Sequence, residues 1–264
     1  MAVHETHPPT RLPAYPPLTE QPVGDASVPR LELAEWADRY GLVAGITIRG
    51  HGFGLGLWSE DNVGQVMTRW RAFHAAVQRA FPGLVTAHQV HGTAVRWQDQ
   101  RADGWLLLDG VDGHATACEG VLLTVTVADC IPVYLAVPQK GAVALLHAGW
   151  RGVAAAVLER GVEVLKRHAF ARGDDIVMHC GVGICGECYE VGPEVATRFS
   201  GGADSGQQHI DLRAILVQQA RRLGISHVSV SSWCSAHHHD QFFSHRASAG
   251  RDSRMVAYLG RPLA

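Results

Sequence analysis

Leu145-Leu146-His147-Ala148-Gly149-Trp150-Arg151-Gly152 is the stretch on which the reading of this chain turns. It closes an apolar run, 142–146, that has the length of a buried strand and ends on a histidine. Two glycines bracket Trp150 and Arg151, and a helix-like run, 153–167, follows. A histidine at the end of a buried strand, with a flexible turn behind it, is placed to serve as a ligand or a catalyst. The arrangement repeats upstream. The apolar run 121–127 ends in Ala128-Asp129-Cys130, and Gln89-Val90-His91-Gly92 closes a third, shorter run. Two histidines and one cysteine therefore stand at the ends of three predicted strands.

Working outward, helices alternate with groups of short strands. Pro29 suits the first turn of a helix over 31–40 that Gly41 stops, and 42–48 reads as a strand. Val63, Val66, Met67, Trp70, Phe73, Val77 and Ala80 keep helical spacing, so 61–81 is a predicted helix, ended by Pro82-Gly83. Apolar runs at 84–87, 94–98, 133–137, 176–181, 228–231 and 255–259 are predicted strands. Asp211 caps a predicted helix over 211–223, with Gly224 at its stop. The pattern predicts an α/β sandwich with mixed sheets, a single domain over 31–264, preceded by a Pro-rich N-terminal arm, 1–30. The stretch 201–208 reads as an exposed loop.

Composition narrows the function classes. The chain has 264 residues, 47% of them hydrophobic, which is ample for a sizeable core. A formal net charge of -2 argues against a nucleic-acid binder that relies on a basic surface. No apolar run is long enough for a membrane span, about 18 residues or more. Six cysteines with no export signal fit free or metal-bound thiols in a reducing cytoplasm.

His91, Cys130 and His147 suit zinc, which accepts imidazole nitrogen and thiolate sulfur. Three protein ligands leave a fourth position for water, whose pKa the metal lowers to roughly 7. The same residues also read as a core cysteine and two satisfied histidines. Asp129, beside Cys130, reads as a carboxylate that orients a histidine or relays a proton, or as a strand-end turn residue. Cys185-Gly186-Glu187-Cys188 has a spacing that binds zinc or exchanges thiols, but no second pair at matching spacing accompanies it. Replacing both cysteines with Ser is therefore expected to leave a stoichiometry of one zinc per chain unchanged. The run His237-His238-His239 is an open metal candidate in a polar loop. Phe242-Phe243-Ser244-His245-Arg246 reads as a wall for a planar ligand or as a core edge.

Four segments occur in one order: Gln89-Val90-His91-Gly92, Ala128-Asp129-Cys130-Ile131-Pro132, His147-Ala148-Gly149-Trp150-Arg151-Gly152 and Cys188-Tyr189-Glu190-Val191-Gly192. In this the chain resembles the laccase-domain, or polyphenol oxidase-like, purine nucleoside phosphorylase family. Asp112 to Thr116, Asp211-Leu212, Cys234, Phe243-Ser244-His245-Arg246 and Gly250-Arg251 add to the resemblance, which covers roughly 45–259. It implies one zinc held at His91, Cys130 and His147. It implies phosphorolysis of adenosine, inosine, guanosine and methylthioadenosine, with adenosine deamination besides. The older laccase label implies copper and phenol oxidation. The chain departs from the family pattern near Ile46-Thr47-Ile48-Arg49-Gly50-His51, where Arg49 is retained and the second Gly is not. Ser235 stands where Thr is usual, and His245 where Tyr is frequent.

The expected function is a zinc-dependent purine nucleoside phosphorylase and adenosine deaminase acting on purine nucleosides and phosphate. Arg49 is the expected phosphate clamp, because a guanidinium matches phosphate oxygens bidentately. Two alternatives stand beside it. One is a copper-dependent polyphenol oxidase, for which no His-x-His pair tied to a Cys-bound copper is evident. The other is a metal-free cysteine hydrolase using Cys130 and His147.

Overall fold

The computed structural model describes residues 17–23, 27–200 and 208–264. Most of the predicted loop 201–208 and the first half of the predicted arm lie outside them. In chain order the elements begin with β1 (Gln21–Pro22), β2 (Arg30–Glu32), α1 (Ala34–Tyr40), β3 (Val43–Thr47) and α2 (Val63–Val77). Next come β4 (Gly83–His88), β5 (Val95–Gln98), β6 (Gly104–Asp109) and β7 (Gly113–Thr116). A central run of β8 (Val121–Val127), β9 (Ile131–Val137) and β10 (Ala142–Ala148) leads into α3 (Trp150–Ala154) and α4 (Val157–Ala169). The chain closes with β11 (Val177–Cys180), β12 (Glu190–Val191), α5 (Pro193–Ser200), β13 (Gln208–His209), α6 (Leu212–Arg222), β14 (His227–Val230) and β15 (Met255–Arg261).

Two mixed sheets form the centre. One runs β1-β2-β3-β15-β8-β4-β6, the other β14-β11-β9-β10-β7-β5. The long strands are apolar on both faces because both faces are covered. Val133, Leu135 and Val137 of β9, with Ala142, Ala144 and Leu146 of β10, pack under α4 and α6. Their alternates Tyr134, Ala136, Val143 and Leu145 meet Val125, Ala257 and Leu259 of the other sheet. Leu122, Val256 and Tyr258 turn outward to Trp70 and Phe73 of α2. The result is a four-layer α/β/β/α sandwich with mixed sheets in a single domain.

Several elements differ from the pattern in the sequence. The predicted helix 153–167 is two helices, because Ala156 between them takes a left-handed conformation with φ 65°. The Val153 carbonyl at this break accepts from the Gln219 side chain at 3.0 Å. The predicted helix 31–40 loses its start to β2, which pairs with β3. Strands β6 and β7 were not predicted. The first carries an apolar run, Trp105 to Leu108, that lies half-exposed at a sheet edge, and the second is built from Gly, His, Ala and Thr and shows no apolar run.

Ahead of β1, the segment around Glu20 is fixed against the edge of β14. The Leu18 N–H donates to the Val230 carbonyl at 3.2 Å. Glu20 is 1% exposed, and its carboxylate accepts from Ser231 Oγ at 2.7 Å and from His179 Nε2 at 3.1 Å.

Candidate active site

Three chain segments bring His91, Cys130 and His147 together. His91 follows β4 of one sheet, His147 lies in β10 of the other, and Cys130 sits in the turn from β8 to β9 that crosses between the sheets. Their nitrogen and sulfur ligand atoms all lie within 4.8 Å of one another. Gly149 packs directly over them: a Cβ there would stand 2.9 Å from His91 Cδ2 and 3.0 Å from Cys130 Sγ. The glycine in the Ala-Gly-Trp turn thus keeps open the space that the three donors surround. A soft thiolate and two imidazoles with a free side match the ligand set of a catalytic zinc site.

Asp112, just before β7, orders this set. Its buried carboxylate accepts the Val90, His91 and Gly92 backbone N–H groups at 3.2, 2.9 and 2.7 Å. It also accepts Nδ1–H of His147 at 2.9 Å, which leaves Nε2 as the ligand atom. One carboxylate therefore fixes the backbone that carries His91 and the ring of His147. The three N–H groups converge because His91 adopts a positive φ of 58°. Asp112 was not singled out as a site residue in the sequence. The signal was a lone Asp between a Gly-Val turn and a Gly-led strand, which also reads as an ordinary turn residue.

The electrostatics favour a thiolate. Burial pushes the Cys130 thiol up, but His147 and His91 outweigh burial and bring it down to about 6. Burial likewise lowers His147, yet the Cys130 sulfur and Asp112 raise it to about 9. Both shifts favour a thiolate beside a charged imidazole, and the thiolate is the form in which sulfur ligates a metal.

A cavity of about 570 Å³ opens over the triad, within the range of small-molecule sites. Trp58, Trp150 and Tyr189 line it, together with His245 and the guanidinium-bearing Arg151, Arg246 and Arg254. Arg151 lies over the Trp150 ring at 4.2 Å and Arg246 over the Tyr189 ring at 5.3 Å. Among the described residues none of these three arginines forms an ion pair with a carboxylate.

Asp129 also lines the cavity, with a positive φ of 86°. Its carboxylate accepts Ser235 Oγ at 2.6 Å and the Arg246 backbone N–H at 2.7 Å. Neither oxygen reaches a triad histidine; Asp112 takes the orienting task that the sequence offered to Asp129. Ser235 supplies the hydroxyl that a Thr would supply, so that departure from the family pattern preserves the contact. Arg49 is not among the residues lining the cavity. Its guanidinium donates to Asp252 Oδ2 at 2.7 Å, contacts His239 Nε2 at 2.8 Å and lies over the Phe243 ring at 4.6 Å. Its charge is already spent on a half-buried aspartate. Arg49 thus stands apart from the cavity, whose wall carries three arginines without carboxylate partners.

The other motifs resolve individually. Phe242 and Phe243 are buried in the inter-sheet core, a core edge and not a ligand wall. The three-histidine run divides: His239 pairs with Asp252 at 2.7 Å, His238 packs edge-on against Trp233, and His237 turns to the cysteine pair. That pair does have partners. Cys185, Cys188, Cys234 and His237 form a second group whose ligand atoms lie within 4.8 Å of one another. The expectation that Cys185 and Cys188 stand alone is overturned, because the fold returns a loop almost fifty residues later in the chain to meet them.

Fold and site define a class: an α/β sandwich that holds a sulfur-and-nitrogen ligand triad beneath a basic, aromatic-lined cavity. The chain belongs to the family described as multi-copper polyphenol oxidoreductase laccase, whose model matches residues 41–261. It is 35% identical over 195 residues to a purine nucleoside phosphorylase of Deinococcus radiodurans, covering 71% of this chain and 74% of that protein. It is 31% identical over 250 residues to the purine nucleoside phosphorylase YlmD of Geobacillus stearothermophilus, covering 84% and 90%. The crystal structure of YlmD superposes with a TM-score of 0.82 at 28% identity, over 92% of this chain and 99% of that one. An adenosine deaminase, RL5, from an unknown prokaryotic organism is 34% identical over 182 residues, covering 62% and 69%.

Proposed function

We propose that this chain is a zinc-dependent purine nucleoside phosphorylase with adenosine deaminase activity, working in the cytoplasm on purine nucleosides and phosphate. The observation that carries the reading is the cavity itself, which gathers the ligand triad, three arginines without carboxylate partners and three large aromatic side chains. His91, Cys130 and His147 would hold the zinc, which when bound supplies a Lewis acid. The relatives' names support the two reactions, and among the described residues no helix is long and apolar enough to cross a membrane.

In phosphorolysis a phosphate oxygen bonds to the anomeric carbon as the bond to the purine nitrogen breaks and the purine leaves with that electron pair. The site must hold an anion beside a carbon that gains positive charge. Arg151, Arg246 and Arg254 provide the anion-holding wall. Trp58 and Tyr189 offer flat apolar faces for the base. Asp129 acts as a positioning residue. Its two oxygens accept from Ser235 Oγ and the Arg246 backbone N–H, so it aims Arg246 along the cavity wall.

This assignment separates the arginines. Replacing Arg246 or Arg254 with Ala is expected to raise the phosphate requirement for phosphorolysis by about one to two orders of magnitude, the loss of one charge-assisted contact. Adenosine deamination, which uses water, should fall far less. Arg49→Ala should instead reduce both activities together, because it strips Asp252 of its cation. Both reactions measured across a phosphate titration check this. Selective loss of the phosphate response in Arg49→Ala alone would return the clamp to Arg49.

The copper oxidase reading has less support. Among the described residues the two His/Cys groups contain two histidines and one, short of a histidine-rich copper cluster. Metal content after purification without added copper, with base release from a nucleoside panel, tests the reading as a whole.

A further inference from the structure

The second cysteine group lies outside the catalytic triad. Cys185-Gly186-Glu187-Cys188 and Cys234-Ser235-Ala236-His237 are two short turns, each with its ligand residues three positions apart. They are locked side by side. Gly183 forms a parallel bridge with Cys234, the Ser235 N–H donates to the Gly183 carbonyl at 3.0 Å, and the Cys185 N–H donates to Cys234 Sγ at 3.3 Å. Cys185 Sγ lies 3.7 Å from His237 Nδ1. The other ring nitrogen, Nε2, faces the Glu187 carboxylate at 3.9 Å, the outer partner that a ligating imidazole commonly has. The three cysteines are free thiols, and the ligand atoms of all four residues fall within 4.8 Å of one another.

The geometry points to a structural zinc site formed by Cys185, Cys188, Cys234 and His237. Three sulfurs and one nitrogen fill all four positions of a tetrahedral ion and leave none for substrate, unlike the three-ligand triad. The two ligand turns carry the cavity wall. Ile184 and Tyr189 flank the first turn and line the cavity, while Ser235, inside the second, holds Asp129. A metal at this point fastens to each other two loops that reach the cavity from distant parts of the chain.

The test is metal analysis of the full-length protein purified without chelator. Two zinc equivalents per chain are expected in the wild type, about one in Cys130→Ala, about one in Cys234→Ser, and close to none in the combined variant. Should Cys234→Ser fail to fold, His237→Ala, at an exposed ligand, gives a milder loss. A second readout uses Cys130→Ala loaded with cobalt(II), which should show the sulfur charge-transfer and tetrahedral ligand-field bands of a three-thiolate site. These arms are read on protein that lacks the catalytic triad, so they stand apart from the proposed activity. One zinc in the wild type that Cys130→Ala abolishes overturns the inference. So does a Cys185–Cys188 disulfide found by mass spectrometry in freshly purified protein.

Discussion

Cys130→Ala is expected to remove one metal equivalent and to lower phosphorolysis and adenosine deamination together, by about a thousandfold or more. The size follows from losing a Lewis acid that contributes several kcal/mol to the transition state, where about 4 kcal/mol corresponds to three orders of magnitude. The substitution removes the only sulfur of the triad and leaves the His91 and His147 rings, edge-to-face at 4.7 Å, without it. It also removes the thiolate that raises His147, so the imidazole loses its counter-charge as well as its co-ligand. The fold should survive, since Cys130 sits in a turn and is partly exposed. Zinc analysis and the two assays on the same preparation check this. Full metal occupancy in the variant would sink the triad assignment, and a covalent adduct on Cys130 of the wild type after turnover would favour a hydrolase.

Asp112→Asn is expected to weaken metal binding about 10–100-fold and to cost roughly 3 kcal/mol of stability. The replacement is nearly isosteric, so the loss is one of hydrogen-bond polarity. Each carboxylate oxygen accepts two donors: Oδ1 takes His91 N–H and His147 Nδ1–H, and Oδ2 takes Val90 and Gly92 N–H. An amide nitrogen on either side faces two donors with a donor. Burial pushes the Asp112 carboxyl up, but the bonds from His147 and from the Gly92 and Val90 backbone outweigh it and hold it below the usual range. Its contribution is therefore complete above about pH 4 and is lost as pH falls through the lower folded value. The variant should show a lowered Tm at neutral pH and a flatter decline of stability in acid. Chelator competition and pH-dependent melting measure both. Unchanged zinc affinity with unchanged Tm would remove Asp112 from the site.

The sandwich is readable in the sequence where strands are covered on both faces. Strands β8, β9 and β10 appear as largely apolar runs because most of their side chains meet either the facing sheet or a helix. The triad is readable for a related reason: each ligand stands where such a run stops. Asp112 is hidden because its task is done through three backbone N–H groups and one ring nitrogen, none of which leaves a residue pattern. Arg49 shows the converse. Its position after an apolar strand suggests a pocket, but the direction of a side chain at a strand end depends on what packs beside it, here Phe243 and Asp252. The cysteine pair is half readable. A Cys-x-x-Cys announces itself, whereas Cys234 and His237 become its neighbours only through the bridge from Gly183 to Cys234.

The buried carboxylate of Glu20 bears on the order in which the molecule assembles. Its partners His179 and Ser231 lie 159 and 211 positions later in the chain. During synthesis Glu20 must wait for its partners until more than two hundred further residues have been added. Docking of the segment around Glu20 is thus a late event, closed only after β11 and β14 are in place. A seat that admits one carboxylate against one imidazole and one hydroxyl also proofreads that event, since a segment shifted by a residue leaves a charge without partners in the interior.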